Sequence, residues 1–488
     1  MTKLIFIVII ILFVITSGMF AADLFWFTVP EWVIYALLCI IAGLTVFLIT
    51  KEKKKALKIT SAVLTVFMAA ASFGGIYLDP YFNSVWFHSD TEPTLPFDTV
   101  IAADKACVDI DYAMRFFMKL HPTRGNDAVL ETAEKMKTEI KAAGSVTVNE
   151  LTADIERAFS KLGDAHTHAY AFYAHPLYLK HYYKWKTGGW SVIKVGGLTM
   201  KDLLYQCSGL FSYEAESWEL EQMKGMLLNV QGLDYLGFSV RDGIAYTFEN
   251  EAGEQQSETY YPEDYVTYEE YLEYNGIKDD DSPQASSFVR TEIDEEKSLA
   301  VLTLDECVFN GEYISCLRDM FTQVKNKGIK NVAVDIRENG GGTDEVATEF
   351  IRYLDIDDYK VPSYTQRLGF LDTKISEGSW KNERYSDLTF HGDCFVLTSS
   401  GTFSSAMIFA QLIKDNGLGT LIGEPPGNDP NGFGEIACFR TPNAGVMFYI
   451  STKRFYRADR ECKDKYVMPD MECSSGEAFN VLYEVIGS

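Results

Sequence analysis

The first eighty residues constrain this chain more than any other part. Three apolar stretches fill them, from about Leu4 to Phe20, from Trp32 to Thr50 and from Ile59 to Leu78. Each approaches the roughly 20 residues that a helix needs to cross a bilayer core. Between the second and third lies KEKKKALK, with Lys51, Lys53, Lys54, Lys55 and Lys58, whereas the loop between the first and second has no Lys or Arg. Basic residues close to a span stay on the cytoplasmic side, so the lysine loop is expected inside, and with it the N-terminus and Lys3. Three crossings then put everything after about Tyr81 outside the cell. The first stretch also has marks of a signal peptide, since Lys3 precedes its apolar run and SGMFAAD ends it in small residues. The length of that run and the two spans that follow favour a retained helix. Trp26, Trp32 and Trp86 suit the membrane interfaces. The expectation is a multi-pass protein of the cell membrane, in contact with the lipid bilayer, its larger part extracytoplasmic.

That larger part is acidic. The formal charge is −25, and nearly all the acidic residues follow the apolar segment. Phosphate recognition needs a basic surface, so nucleic acid is excluded as a partner. Nine cysteines are present, without a CxxC pair or a Cys/His spacing that would hold zinc. No metal and no cofactor are expected. Cys307 with Cys316 and Cys462 with Cys473 are close enough in sequence to pair, but free buried cysteine is the favoured reading. The sequence carries no mark of an oligomeric state.

A length of 488 residues allows about three domain-sized units. The pattern divides into a three-helix membrane region (1–80), a linker (81–98), a helical subdomain (99–175), a mixed α/β subdomain (176–284) and a catalytic domain (285–488). In the helical part, YAMRFFMKLHP stops at Pro122, NDAVLETAEKMKTEIKAAG runs from an Asn126 cap to Gly144, and TVNELTADIERAFSKLG closes on Gly163. In the mixed part, WSVIKVGG reads as a strand and LTMKDLLYQCSGLF as a helix. FSVRDGIAYTFENEAGEQQSETYY reads as hairpin strands turning at Asp242-Gly243 and Ala252-Gly253. From Ser286 strands alternate with helices, the signature of an α/β layer with crossover connections.

Three segments carry chemistry: GDAHTH, DIRENGGG and SSGTFSSAMIFA. In the last, Ser404 and Ser405 stand between a strand and a helix. A helix start offers unpaired N–H groups and partial positive charge, which suit a developing oxyanion, although a serine there is usually only a cap. Glycines 340, 341 and 342 permit backbone shapes and close approaches that other residues resist. His166 and His168 supply imidazoles, the usual general base for a serine nucleophile.

Together the segments resemble the C-terminal processing peptidases, also called tail-specific proteases. Asp335, Ile336, Arg337, Asn339, Gly341 and Gly342 match that family's D-L-R-x-N-x-G-G, and Gly401, Thr402, Phe403 and Ser404 match its G-[ST]-x-S. Asp415, Gly417, Gly423 and Glu424 match D-x-G and G-E, and MPD at 468–470 is similar to the terminal V-x-PD. The resemblance runs from about Thr99 to the C-terminus. It implies a Clp protease/crotonase-like core behind the helical subdomain and cleavage of peptides or proteins. It makes Ser404 the nucleophile and gives the oxyanion to the amides of Gly341 and Ser405. Many members use a lysine in an F-G-K-G turn after G-E. Here that region is GEPPGNDPNGFGE, and the next lysine is Lys453. The chain is therefore closer to the tricorn-like branch, which uses Ser, His and a carboxylate. His166 becomes the expected base and Glu461 the expected acid, with Asp459 and Asp164 as alternatives.

Overall fold

A computed structural model of the chain describes residues 2–25, 31–82, 93–171, 173–250, 252–277, 287–368, 371–376 and 378–487. The apolar N-terminus forms the helices Thr2–Phe25, Glu31–Lys51 and Lys55–Phe82. Ile9, Ile41, Leu48 and Met68 pack between them. Among the described residues two helices, not the expected three, are long and apolar enough to cross a membrane: Thr2–Met19 at mean hydropathy 2.4 and Val33–Lys51 at 2.6. The third expected span falls in Lys55–Phe82, whose side chains from residue 71 onward lie outside the described residues.

The C-terminal half is built on a six-stranded sheet. Its order is Val289–Asp294, Leu299–Leu304, Asn331–Asp335, Asp393–Thr398, Thr420–Gly423 and Met471–Glu472. The first pair is antiparallel and the other pairings are parallel. Asn331–Asp335 is buried along its whole length, as a strand covered on both faces must be. The period of two is visible in what its residues touch. Val332 and Val334, with Val396 of the next strand, face the helices Gly311–Lys327, Glu345–Ile351 and Ser405–Asp415. Ala333, Phe395 and Leu397 face Ala478 and Leu482 of the C-terminal helix.

A second sheet runs in the order Leu371–Ile375, Ser363–Leu368, Met447–Tyr456, Phe433–Arg440, with His168–Tyr170 also paired to Met447–Tyr456. The strand Met447–Tyr456 thus belongs to this sheet and not to the first. On it lie the helices Ala103–Leu120, Asp127–Ala143 and Val148–Phe159, through Phe116, Phe117 and Phe159 against Phe439 and Phe448. Their ends are those expected. Asn126 Oδ1 accepts the Ala128 and Val129 amides, Thr147 and Glu150 form a capping box, and Gly144 and Gly163 are left-handed. A third core surrounds a four-stranded sheet of Leu198–Thr199, Trp190–Val195, Ile244–Asn250 and Gln255–Tyr260. The turn at Ala252-Gly253 is where it was expected. Residues 239–243 form a turn, not the first hairpin strand, so the hairpin begins only at Ile244.

One buried ion pair ties the first two layers together. Arg457, just past the strand Met447–Tyr456, donates to Asp415 at the end of the helix Ser405–Asp415, at 2.7 Å, with both side chains 2% exposed. Its Nη1 also reaches the Tyr466 carbonyl. Removing one member of such a pair leaves an uncompensated buried charge. Arg457→Ala should therefore destabilise the protein by about 3–5 kcal/mol, read as a lower denaturation midpoint of the purified chain in detergent. An unchanged midpoint would show that the pair is dispensable.

Candidate active site

Two strands of the main sheet end side by side in turns laced to each other. After Asp393–Thr398, the Ser399 N–H donates to Thr402 Oγ1, which in turn donates to the Ile336 carbonyl at 2.8 Å. Ser399 Oγ donates to the Arg337 carbonyl and accepts the Gly401 N–H. The Phe403 N–H donates to the Asn339 carbonyl at 3.0 Å. Ser404 follows at φ 54°, ψ −122°, a conformation that costs a non-glycine residue about 1–3 kcal/mol and that clusters at active sites. Its N–H is held by Asn428 Oδ1 at 2.9 Å.

Gly341 lies against this bend. It has φ 112°, and a Cβ built there would stand 2.7 Å from Ser404 Cβ and 3.2 Å from the Ser405 nitrogen. Only glycine permits that approach. The Gly341 N–H, expected to face an oxyanion, instead donates to Asn339 Oδ1 at 2.9 Å. The reason is local. Asn339 is fully buried, its amide already donates to the Leu304 carbonyl, and its oxygen takes the nearest N–H. The Ser405 N–H stands at the start of the helix Ser405–Asp415, whose first amides lack internal acceptors. The Ser405 hydroxyl is occupied, donating to the Gly342 carbonyl at 2.8 Å.

His166 comes from the other layer. The left-handed Gly163 ends the third helix of the helical layer, and the chain turns under Asp164, which is fully buried. Asp164 Oδ1 accepts the backbone N–H of His166 at 2.8 Å. Its Oδ2 accepts from His121 Nε2 at 3.0 Å. His121 Nδ1 accepts the Thr123 N–H, which assigns the proton to Nε2. Burial alone would raise the Asp164 pKa, but the hydrogen bond from His121 and the nearby imidazoles bring it down to about 2. Beyond the loop, the Ala169 N–H donates to the buried Glu156, whose carboxyl is pushed up to about 8, chiefly by burial. So positioned, His166 Nε2 lies 2.9 Å from Ser404 Oγ. The ring stacks on Phe403 at 4.6 Å, and Phe403 stacks on Trp218 at 4.0 Å. Burial lowers the His166 pKa, opposed by the Asp164 charge, so the ring is neutral at pH 7 and able to accept a proton. His168 packs on Tyr449 and is pushed down to about 4, mainly by burial.

Of the expected residues, the structure thus brings together Ser404, His166, Ser405, Gly341 and Asp164. It does not bring Glu461 or Asp459. Glu461 is exposed, and its N–H donates to Asp459 Oδ1. The Asp459 N–H donates to Asp415, and its carboxylate faces Lys360 at 3.8 Å. Both belong to the loop pinned by the Arg457–Asp415 pair, and Asp164 is the carboxylate whose charge reaches His166. Lys453 pairs with Glu435 at 3.0 Å and lies over the Tyr364 ring.

Residues 298–473 match the model of peptidase family S41. Over that stretch the chain is similar to the family. The match covers the glycine turn, the nucleophile turn and the terminal MPD, and it bears out the resemblance to C-terminal processing peptidases. The S41 match supports a serine-type peptidase. No curated protein sequence matches the chain. Among solved structures, mature CPAF complexed with lactacystin is similar at TM-score 0.55 and 10% identity, over 79% of this chain and 97% of that one. A CPAF mutant is similar at 0.56 and 10%, over 79% and 96%. These likenesses are of fold.

One residue near the candidate site escaped the sequence. Glu214 offers a carboxylate oxygen that, with one ligand atom each from Asp164 and His166, forms a group within 4.8 Å of one another. The set has the makings of a cation site by distance alone. Both Asp164 oxygens and His166 Nε2 are engaged, however, and Glu214 is pushed up to about 8 by burial and the Asp164 charge, which opposes the ionised form a metal needs. Glu214 sits in YEAESWE, which reads as a solvated acidic run, and no spacing distinguishes it from Glu216 or Glu219. It also lines a cleft of about 760 Å³ beside the nucleophile turn, together with Ser400, Gly401, Glu424 and Tyr466.

The Asp164 network has a signature in pH. Its folded pKa lies below the unfolded value of about 3.9, so its contribution is complete above that value and is lost as pH falls toward about 2. Asp164→Asn should lower the denaturation midpoint at pH 6 and flatten its fall between about pH 4 and pH 2. An unaltered acid limb in the variant would remove Asp164 from this role.

Proposed function

We propose that this S41 peptidase hydrolyses extracytoplasmic peptides or proteins with Ser404 as nucleophile and His166 as base. The observation that carries the reading is the 2.9 Å contact between His166 Nε2 and Ser404 Oγ, made by residues 238 positions apart. As Ser404 Oγ attacks the scissile carbonyl carbon, its proton passes to His166 Nε2. The negative charge gathering on the carbonyl oxygen meets the Ser405 N–H and the positive end of the helix Ser405–Asp415. The tetrahedral species collapses, the C–N bond breaks, and His166 returns the proton to the leaving amine. Water, deprotonated by the same imidazole, then cleaves the acyl-enzyme ester and restores Ser404.

This is the chemistry of the His-using, tricorn-like branch. The engagement of Lys453 with Glu435 supports it over a Ser–Lys dyad. The cleft beside the nucleophile turn is the place for the substrate chain. With fluorescein-labelled casein as substrate and the full chain in detergent, Ser404→Ala and His166→Ala should each lower turnover by on the order of 10³-fold or more. Lys453→Ala should stay within about twofold, since it holds no reacting proton. Loss of activity in Lys453→Ala with retention in His166→Ala would reverse the assignment.

The N-terminal helices serve as a membrane anchor. Only 11% and 28% of the two apolar windows are buried, so their faces are left to lipid and not covered by protein. With the Lys51–Lys58 loop inside, an outside peptidase requires the helix Lys55–Phe82 to cross as well, beyond the two spans that hydropathy selects. Proteinase K added to intact cells should then digest the region after residue 92 and spare the lysine loop. Full protection of that region until lysis would contradict the orientation.

A further inference from the structure

The contact with Ser404 uses one nitrogen of His166. The other, Nδ1, is buried and has no hydrogen-bond partner among the described residues. A neutral imidazole that accepts on Nε2 carries its proton on Nδ1, and a buried donor calls for an acceptor. Asp164 does not supply one. Its two oxygens serve the His166 backbone and His121, so it shapes the loop and leaves the outer side of the ring open.

A carboxylate oxygen of Glu214 lies within 4.8 Å of a His166 ring nitrogen, and the carboxylate is held in place. Oε2 accepts the Asp429 N–H at 2.7 Å and Oε1 accepts the Phe433 N–H at 3.3 Å. Its backbone carbonyl accepts from the Tyr466 hydroxyl and Lys465 Nζ. Gly432 leaves the room it needs, since a Cβ there would stand 2.5 Å from Oε1 and 2.6 Å from Oε2. The same turn supplies Asn428, which holds the Ser404 N–H. One turn, 428–433, therefore sets both the nucleophile and this carboxylate. It lies within GEPPGNDPNGFGE, the segment that has no lysine.

We propose that Glu214 is the positioning residue of the site, accepting the His166 Nδ1 proton across one water and keeping Nε2 directed at Ser404. This rests on the reading of Ser404 and His166 as nucleophile and base. The spread of the group, at most 4.8 Å, together with the lack of a direct bond to Nδ1, leaves room for a bridging water. The acid then comes from the segment preceding the helix Glu216–Met226, and not from the C-terminal loop of Glu461. The titratable groups near Glu214 are Asp164, Asp429, His166 and, at its backbone carbonyl, Lys465, and burial with the Asp164 charge raises its carboxyl while the two amides oppose them. Glu214 and His166 titrate as a pair. The active form has Glu214 ionised and His166 neutral; because burial and the Asp164 charge push Glu214 up to about 8, that form is complete only above about pH 8, and one proton added to the pair abolishes turnover.

The test is the pH profile of casein hydrolysis by the full chain. Glu214→Gln should lower kcat by about 10²-fold, within the range ascribed to positioned acid–base groups, with KM nearly unchanged. Its acid limb should move to lower pH, because Gln takes up no proton and burial holds the lone His166 below its ordinary value. Glu214→Asp should restore part of kcat. Gly432→Ala, which displaces the carboxylate without deleting it, should fall between wild type and Glu214→Gln. A Glu214→Gln enzyme with wild-type kcat, or one whose acid limb does not move, would overturn the proposal. If wild type is active and depends on Ser404 and His166 while Glu214→Gln is indifferent, Glu214 alone is refuted. If Ser404→Ala cleaves casein as fast as wild type, the underlying assignment fails as well.

Discussion

Everything at the candidate site depends on the close approach of two backbone turns. Gly341 lies so near Ser404 that a methyl group would not fit between them. The approach is secured by hydrogen bonds crossing from residues 399–403 to residues 336–339. Parallel strands ending on one edge bring such turns together, and the helix that follows Ser404 supplies amides at the same place. The strained Ser404 backbone is tolerated because its neighbours over-determine it: the Phe403 amide is fixed on Asn339 and its own amide on Asn428.

The second half of the site is an arrangement of buried carboxyls. Asp164, Glu156 and Glu214 lie close enough for their charges to interact, which would be costly unless each were held differently. Asp164 stays ionised because His121 and the His166 amide bond to it. Glu156 and Glu214 are pushed toward the neutral form and each meets backbone amides. The imidazole of His166 is thus presented from a layer other than that of Ser404. The candidate site is assembled where the two layers meet, and the Arg457–Asp415 pair fixes that junction from the far end of the helix Ser405–Asp415.

Sequence reasoning reached the parts of this site that are local. The strand, turn and helix around Ser404, the glycine turn and the capped helices leading to His166 all leave marks within a few residues. It failed where a role depends on distant partners. Glu461 was a sound expectation from its place before the terminal PD, but the Arg457–Asp415 pair anchors its loop elsewhere. Gly341 is where the motif put it, yet its amide is taken by Asn339, which no spacing reveals. Glu214 was invisible because its amides come from residues 429 and 433, in another layer. At the N-terminus, composition located the helices, while the count of spans depends on side chains beyond those described in Lys55–Phe82.

The most direct measurement is peptide mapping by mass spectrometry after the full chain reacts with a fluorophosphonate, which adds covalently only to an activated serine. The account predicts one adduct, on Ser404, formed readily in wild type and lost in His166→Ala. An adduct on Ser405 or another serine, or labelling of Ser404 undiminished without His166, would contradict it.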